Sequence, residues 1–350
     1  MFLFLCAFSL SSVASGPEES RLFDYFTGAL PPLEMEMRFV TKLIKSNPGF
    51  YEGIIFSAKD RERKVYFLKK AVSDEALKDF PAKSGKPELR TNRICNLLWL
   101  ASLSSEDQQT TILLKAMEEL DFYLSVSGLS ETDGIVQFLR GLTLQVLGYI
   151  SQYRLNDRIE AISFYQKSLE AYFQSEKGKT GIVGREDILL LEGYNRMQLA
   201  KARFDDGSAQ DSQSELFKAI DTFQIIRNRR HSNRDVLAES YICHGMANCI
   251  LGDMYKKVYS DFFRLELYNR EARKWFVAVK TEFPDQIFYH PEALALEGVS
   301  YQAELKYEKA AEVFSRLQHD YHGGRWEYFC MSNLAEVYFQ LKKFEDCTET

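Results

Sequence analysis

Residues Leu294–Leu317 read LALEGVSYQAELKYEKAAEVFSRL, and their pattern decides how the rest of the chain is read. Apolar residues recur at helical spacing on both sides of a turn. Small residues stand at Gly298 and Ala310, and large ones at Leu294, Tyr301, Tyr307, Phe314 and Leu317. Small residues let the two helices of a hairpin approach closely, and large ones fill the remaining space, ridge into groove. A single hairpin of this size leaves an apolar face bare, so neighbours stacked on both sides are expected.

The same alternation recurs outward from this stretch. Arg93–Leu103 and Thr110–Val126 form a candidate hairpin with Ala101 and Ala116 as its small contacts. Ile135–Tyr153 and Asn156–Phe173 form the next, with Gly141 in the first helix and Ala161, Tyr165 and Ser168 taking small, large and small positions in the second. Asp187–Phe204 and Glu215–Arg227 follow, separated by a polar loop, DDGSAQDSQS, with Ala219, Phe223 and Ile226 repeating the second-helix spacing. A further unit begins at Arg234, with Gly245 in one helix and Ala272, Phe276, Val279 and the terminating Pro284 in the other. An insertion is expected between them, around Met254–Leu267. A last unit starts near Trp326, with Leu334, Ala335, Tyr338 and Phe344 in position and Cys347 where a small residue is expected. The sequence stops at Thr350, so that repeat is read as incomplete.

These hairpins resemble the tetratricopeptide repeat, a helix-turn-helix unit of about 34 residues. The resemblance covers residues 90–350 and is closest over Pro291–His322. The phrase FVAVKTEFPD before a fresh repeat is similar to periplasmic members of the family from the bacterial Tol-Pal and outer-membrane assembly systems. The resemblance implies an all-α fold, a right-handed superhelical solenoid of antiparallel helix-turn-helix repeats. It also implies a non-enzymatic scaffold whose concave groove takes an extended peptide or helix of another protein. By the family pattern, Ala295, Val299 and Gln302 face that groove, and Ser332, Glu336 and Phe339 do so in the next unit. The set lacks the Lys and Asn residues of carboxylate-clamp repeats, which argues against recognition of an acidic chain terminus.

The first ninety residues fit the repeat poorly. Phe2–Leu10 is almost wholly apolar and is followed by Ser11, Ser12, Ala14, Ser15 and Gly16, so residues 1–15 read as a candidate signal peptide. Its n-region lacks Lys and Arg, and the apolar run is too short to span a bilayer. Residues 16–89 read as a divergent helical region. A helix is expected over Glu34–Lys45, stopped by Asn47-Pro48-Gly49, with others over Gly53–Leu68 and Ser73–Phe80. The leader implies export to a periplasm or cell envelope. A cytosolic adaptor with a packed first segment is the alternative.

Composition narrows the function classes. A net charge of −6 argues against general nucleic-acid binding, which needs a basic footprint. Six Cys occur without CxxC spacing, so they read as small apolar core residues, with one unassigned disulfide open if the chain is exported. No sequence motif calls for a cofactor or a metal, and membrane association is expected only through a partner. Gly178-Lys179-Thr180 lacks the earlier Gly of a phosphate-binding loop, since Phe173 stands there. His319 and His322 share a helical spacing without a third ligand, and His244 reads as a core residue. The run RNRRHSNR, Arg227–Arg234, reads as a solvated helix terminus. Pairs such as Glu118-Glu119 and Asp205-Asp206 are sequence neighbours that do not face each other on a helix. The rival enzyme reading is a glycan-acting α-helical barrel, in which the 19 Tyr and 26 Phe would serve sugar stacking.

Overall fold

The computed structural model describes residues 37–46, 58, 60–73, 87–126, 134–178, 183–229, 233–321 and 324–342. The expected leader, all but the first residue of the helix expected over Ser73–Phe80, Lys179-Thr180, His322, Phe344 and Cys347 lie outside the described residues. Among the described residues there are thirteen α-helices and no strand. They are α1 Met37–Ser46, α2 Arg61–Ala71, α3 Pro87–Leu103, α4 Glu106–Val126, α5 Gly134–Tyr153, α6 Arg158–Lys177, α7 Arg185–Asp205, α8 Ala209–Arg227, α9 Arg234–Tyr259, α10 Phe262–Glu282, α11 His290–Ala303, α12 Tyr307–Asp320 and α13 Gly324–Gln340. A short 3-10 turn, Ile287–Tyr289, leads into α11.

Two compact units divide the chain, one ending at Asn195 and the other beginning at Arg196, so the boundary falls inside α7. Within each unit, neighbouring helices pack in succession. In the first, α3 packs on α4, α4 on α5 and α5 on α6, with α1 and α2 against α3. In the second, the order α8, α9, α10, α11, α12, α13 is also an order of contact. First helices touch first helices as well: α3 meets α5 in one unit, and α9 meets α11 and α11 meets α13 in the other. That double contact explains the burial pattern. Helix α5 is buried at every residue from 141 to 152, whereas α6 keeps a solvated face through Gln166, Lys167 and Glu170.

The turns repeat as well as the helices. A residue with positive φ sits between α5 and α6 (Asn156), α7 and α8 (Gly207), α9 and α10 (Ser260), and α11 and α12 (Leu305). Each places the chain for a tight reversal. The Ser208 N–H then donates to Arg203 O at 2.8 Å, and the Lys306 N–H to Tyr301 O at 3.0 Å, satisfying carbonyls that the ending helix leaves open. Two of the second helices, α6 and α10, are capped at once. Asp157 accepts from the Glu160 N–H at 2.9 Å, and Asp261 from the Arg264 N–H at 2.9 Å. One expectation is corrected by these turns, and another is given its form. The loop DDGSAQDSQS shrinks to residues 206–208, because its Ser and Gln residues join the first turns of α8. The insertion expected around Met254–Leu267 is helix on both sides of a two-residue turn, with Leu251, Met254 and Leu265 buried between lengthened arms.

Small and large residues meet within the hairpins as the alternation predicts. Phe314 packs its ring over Gly298, and Phe276 does the same over Gly245, so closely that neither glycine has room for a methyl group. Hairpin α5–α6 carries a stricter version. Gly134, Gly141 and Gly148 recur every seventh residue along α5. A methyl on Gly141 would lie 2.7 Å from the Tyr172 ring, and one on Gly148 2.7 Å from the Tyr165 ring. The opposing helix answers at the same interval: the Ser168 hydroxyl donates to Gly141 O and the Ser175 hydroxyl to Gly134 O, both at 2.7 Å. Each tyrosine hydroxyl reaches a glutamine one turn beyond its glycine, Tyr172 to Gln145 and Tyr165 to Gln152, both at 2.9 Å. These four hydroxyls are thus paired across the interface, while the Gln152 amide nitrogen is buried without a partner among the described residues.

Candidate docking surface

The residues expected to line a groove fall into different surroundings. Ala295 is 2% exposed and joins an apolar cluster with Trp326, Cys330, Leu334 and Val337 of α13, and Val299 packs against the same cluster. Gln302 is 1% exposed at the end of α11. Ala295 and Gln302 therefore present no surface to a partner, because α11 packs against helices on either side in sequence. In α13, Ser332 is exposed, Glu336 is half-buried, and Phe339 is 61% exposed. Ser332 and Phe339 lie seven residues apart, on one face of the helix.

The other chemistry candidates divide between packed and exposed positions. His244 is buried and stacks on Trp275 at 4.3 Å between ring centroids. Burial, helped by the charge of Arg227, pulls its pKa down to about 4, so it is a neutral core residue at ordinary pH. Arg227 covers Trp275 at 4.6 Å. At the other end of the same basic run, Arg234 forms a two-pronged ion pair with Asp285. His319 bonds its neighbour Asp320 at 3.1 Å on the surface. Among the described residues, no group of three or more His, Cys, Asp or Glu could hold a metal ion. Cys95, Cys243 and Cys330 are buried, and burial pushes the thiols of Cys249 and Cys330 up to about 12. Glu119 pairs with Arg93 at 3.0 Å while Glu118 is exposed, and Asp205 and Asp206 are both exposed. Gly178 caps α6. Among the described residues, no helix is long and apolar enough to cross a membrane.

One surface in the first unit is already occupied by a helix. The sequence of α1, MRFVTKLIKS, places Phe39, Val40, Leu43 and Ile44 on one face and Arg38, Lys42 and Lys45 on the other, with no acidic residue. All four apolar side chains are buried, Val40 and Ile44 completely. Helix α1 meets the first helices of three hairpins: it packs on α3, its Phe39 ring meets Phe138 of α5 edge-on at 6.1 Å, and its polar side reaches α7. There Lys42 Nζ lies 2.7 Å from Asp187 Oδ2. The same carboxylate accepts the Gly184 N–H at 3.0 Å, the back-bond of a helix start, which holds it in place for the lysine. Arg38 comes within 3.5 Å of the Tyr194 hydroxyl.

The helix itself was legible, since the expected span over Glu34–Lys45 nearly coincides with α1. Its destination was not. Lys42 and Asp187 are 145 residues apart, and no local pattern pairs them. The available signal was the amphipathic pattern with cations only, which marks a helix that needs both an apolar seat and a nearby carboxylate. The chain matches no protein-family model, and no curated protein matches it.

Proposed function

We propose that this chain is a non-enzymatic scaffold that holds another protein against the first-helix side of stacked helical hairpins. The arrangement is of tetratricopeptide-repeat type, and successive hairpins wind into a right-handed solenoid. The partner supplies an extended peptide or a helix. The observation that carries this reading is the seating of α1: the first helices α3, α5 and α7 together offer a surface on which four apolar side chains of a separate helix are buried. Helix-in-groove recognition uses the same currency, an apolar helical stripe laid along a preformed seam. Exposed Ser332 and Phe339 on α13 give a second, open stretch of first-helix surface. The apolar leader and the likeness of FVAVKTEFPD to periplasmic repeat proteins support a site of action in the bacterial envelope, in its assembly or organisation.

Crosslinking in the native host, followed by mass spectrometry, tests this. A Ser332→Arg/Phe339→Glu variant is expected to lose crosslinks at α13 while keeping its helical content. Crosslinks that persist unchanged in the variant, or that vanish only when the chain unfolds, would sink the scaffold reading. Sequencing of the mature N-terminus tests export separately, and retention of Met1 would remove that part.

A further inference from the structure

We infer that the seat formed by α3, α5 and α7 is a receptor for a cationic amphipathic helix, and that α1 fills it in cis until a partner helix of the same chemistry displaces it. This rests on the scaffold reading and specifies what the groove accepts. The seated helix displays the requirements directly. Apolar side chains are needed at four positions, i, i+1, i+4 and i+5, as supplied by Phe39, Val40, Leu43 and Ile44. A cation is needed at i+3, where Lys42 meets Asp187. A second cation one residue before the stripe, Arg38, reaches the Tyr194 hydroxyl on the same helix, α7.

The geometry separates a fixed receptor from an exchangeable occupant. On the receptor side, Phe138 and Tyr194 are completely buried, and Asp187 is 10% exposed by its side chain and held by its bond to Gly184. On the occupant side, Lys42 keeps 45% of its side chain in solvent, and Arg38 and Lys45 are exposed. Helix α1 has ten residues, and a helix of that length holds its shape in water only while docked. A short helix docked by one face, with its charged side still wet, can be exchanged without opening the receptor. Being part of the same chain, α1 competes at high effective concentration, so a rival must be a good mimic or be presented multivalently.

A fluorescent synthetic peptide carrying residues 36–47 provides the probe, read by anisotropy against the full-length chain. Val40→Asp/Ile44→Asp in the chain unseats α1 while leaving the receptor untouched. The peptide is expected to bind that variant at least tenfold more tightly than the wild type. Lys42→Glu in the peptide should abolish the gain, and Asp187→Lys in the chain should restore it to the altered peptide. If the double variant loses helical content, Lys42→Glu in the full chain serves instead, since that side chain is half in solvent. It should speed amide exchange in α1 and admit the unaltered peptide. Absence of peptide binding to a folded, unseated chain overturns the inference, as does equal binding of the unaltered peptide and its Lys42→Glu variant. In that event, crosslinks to a host protein elsewhere would leave the scaffold reading standing. Peptide binding with no crosslinked host protein would sink the scaffold reading and leave the seat.

Discussion

Hairpins α5–α6 and α11–α12 solve one packing problem with different chemistry. Both bring a second-helix aromatic ring onto a first-helix glycine, Tyr172 on Gly141 and Phe314 on Gly298. In α11–α12 the ring is phenylalanine, set among Leu294, Ala310, Val313 and Leu317, and the contact is apolar throughout. In α5–α6 the ring is tyrosine, and its hydroxyl is carried into the core to a glutamine, while two serines bond glycine carbonyls across the interface. The apolar solution gains from burial alone and tolerates some sliding. The polar solution adds little net stability per bond, but it penalises any register that breaks these pairs. Helix α5, buried along its length, is where a register error would leave the most groups unpaired.

The contrast can be broken most severely in the apolar hairpin. Phe314→Ala removes a fully buried ring and should cost about 3–5 kcal/mol. Amide exchange in α11 and α12 would show it, while α5 and α6 stay protected. An unchanged α11–α12 would mean that the Gly298 notch collapses without loss.

Hairpin α9–α10 repeats the glycine contact through Gly245 and Phe276, but with an ionisable neighbour, His244. Its folded pKa, about 4, lies below the ordinary 6.5, so the unfolded chain binds the proton first as pH falls. Stability from this group is present above pH 6.5 and is lost as pH drops toward 4, by roughly 2–3 kcal/mol. Urea titrations of wild type and His244→Phe should diverge across that interval and run parallel above it. Parallel curves throughout would show the imidazole charging freely in place.

The polar hairpin offers a sharper test at smaller amplitude. Tyr172→Phe leaves Gln145 without its 2.9 Å donor and should cost about 1–3 kcal/mol. Adding Gln145→Leu should recover part of that loss, because the amide oxygen that Tyr172 served is then gone. If the double variant is no better than the single one, the pairing account of α5–α6 fails.

The turns of the same two hairpins give the smallest effect. Asn156 and Leu305 both hold positive φ, a conformation Asn tolerates and Leu does not. Leu305 is 52% exposed, so Leu305→Gly loses little packing and should stabilise by up to about 1 kcal/mol. Asn156→Gly should change stability by only a few tenths. Equal responses in thermal unfolding would show that residue type at the turn is immaterial.

Much of the fold could be read from spacing alone. The contacts at Gly245 and Gly298, and the buried Ala161, Tyr165 and Ser168, stand where the alternation of small and large residues put them. The heptad of Gly134, Gly141 and Gly148 is equally present in the sequence, but only Gly141 stands out there, because the other two gain meaning from the residues they meet across the hairpin. The polar run at 205–214 misleads for a physical reason. Polarity there marks exposed faces of continuing helices, and a break cannot be told from a solvated face without knowing what lies opposite.

By itself the sequence determined most helices from α3 onward, their pairing into hairpins and several of the residues that meet inside each pair. Those follow from 3.6-residue periodicity and side-chain volume, which are properties of neighbouring residues. Tertiary structure alone decided that the units divide within α7 and that a cationic helix from the start of the chain lies on α3, α5 and α7. Its ion pair joins residues more than a hundred positions apart, and the energy of such contacts depends on which surfaces the rest of the chain has left open.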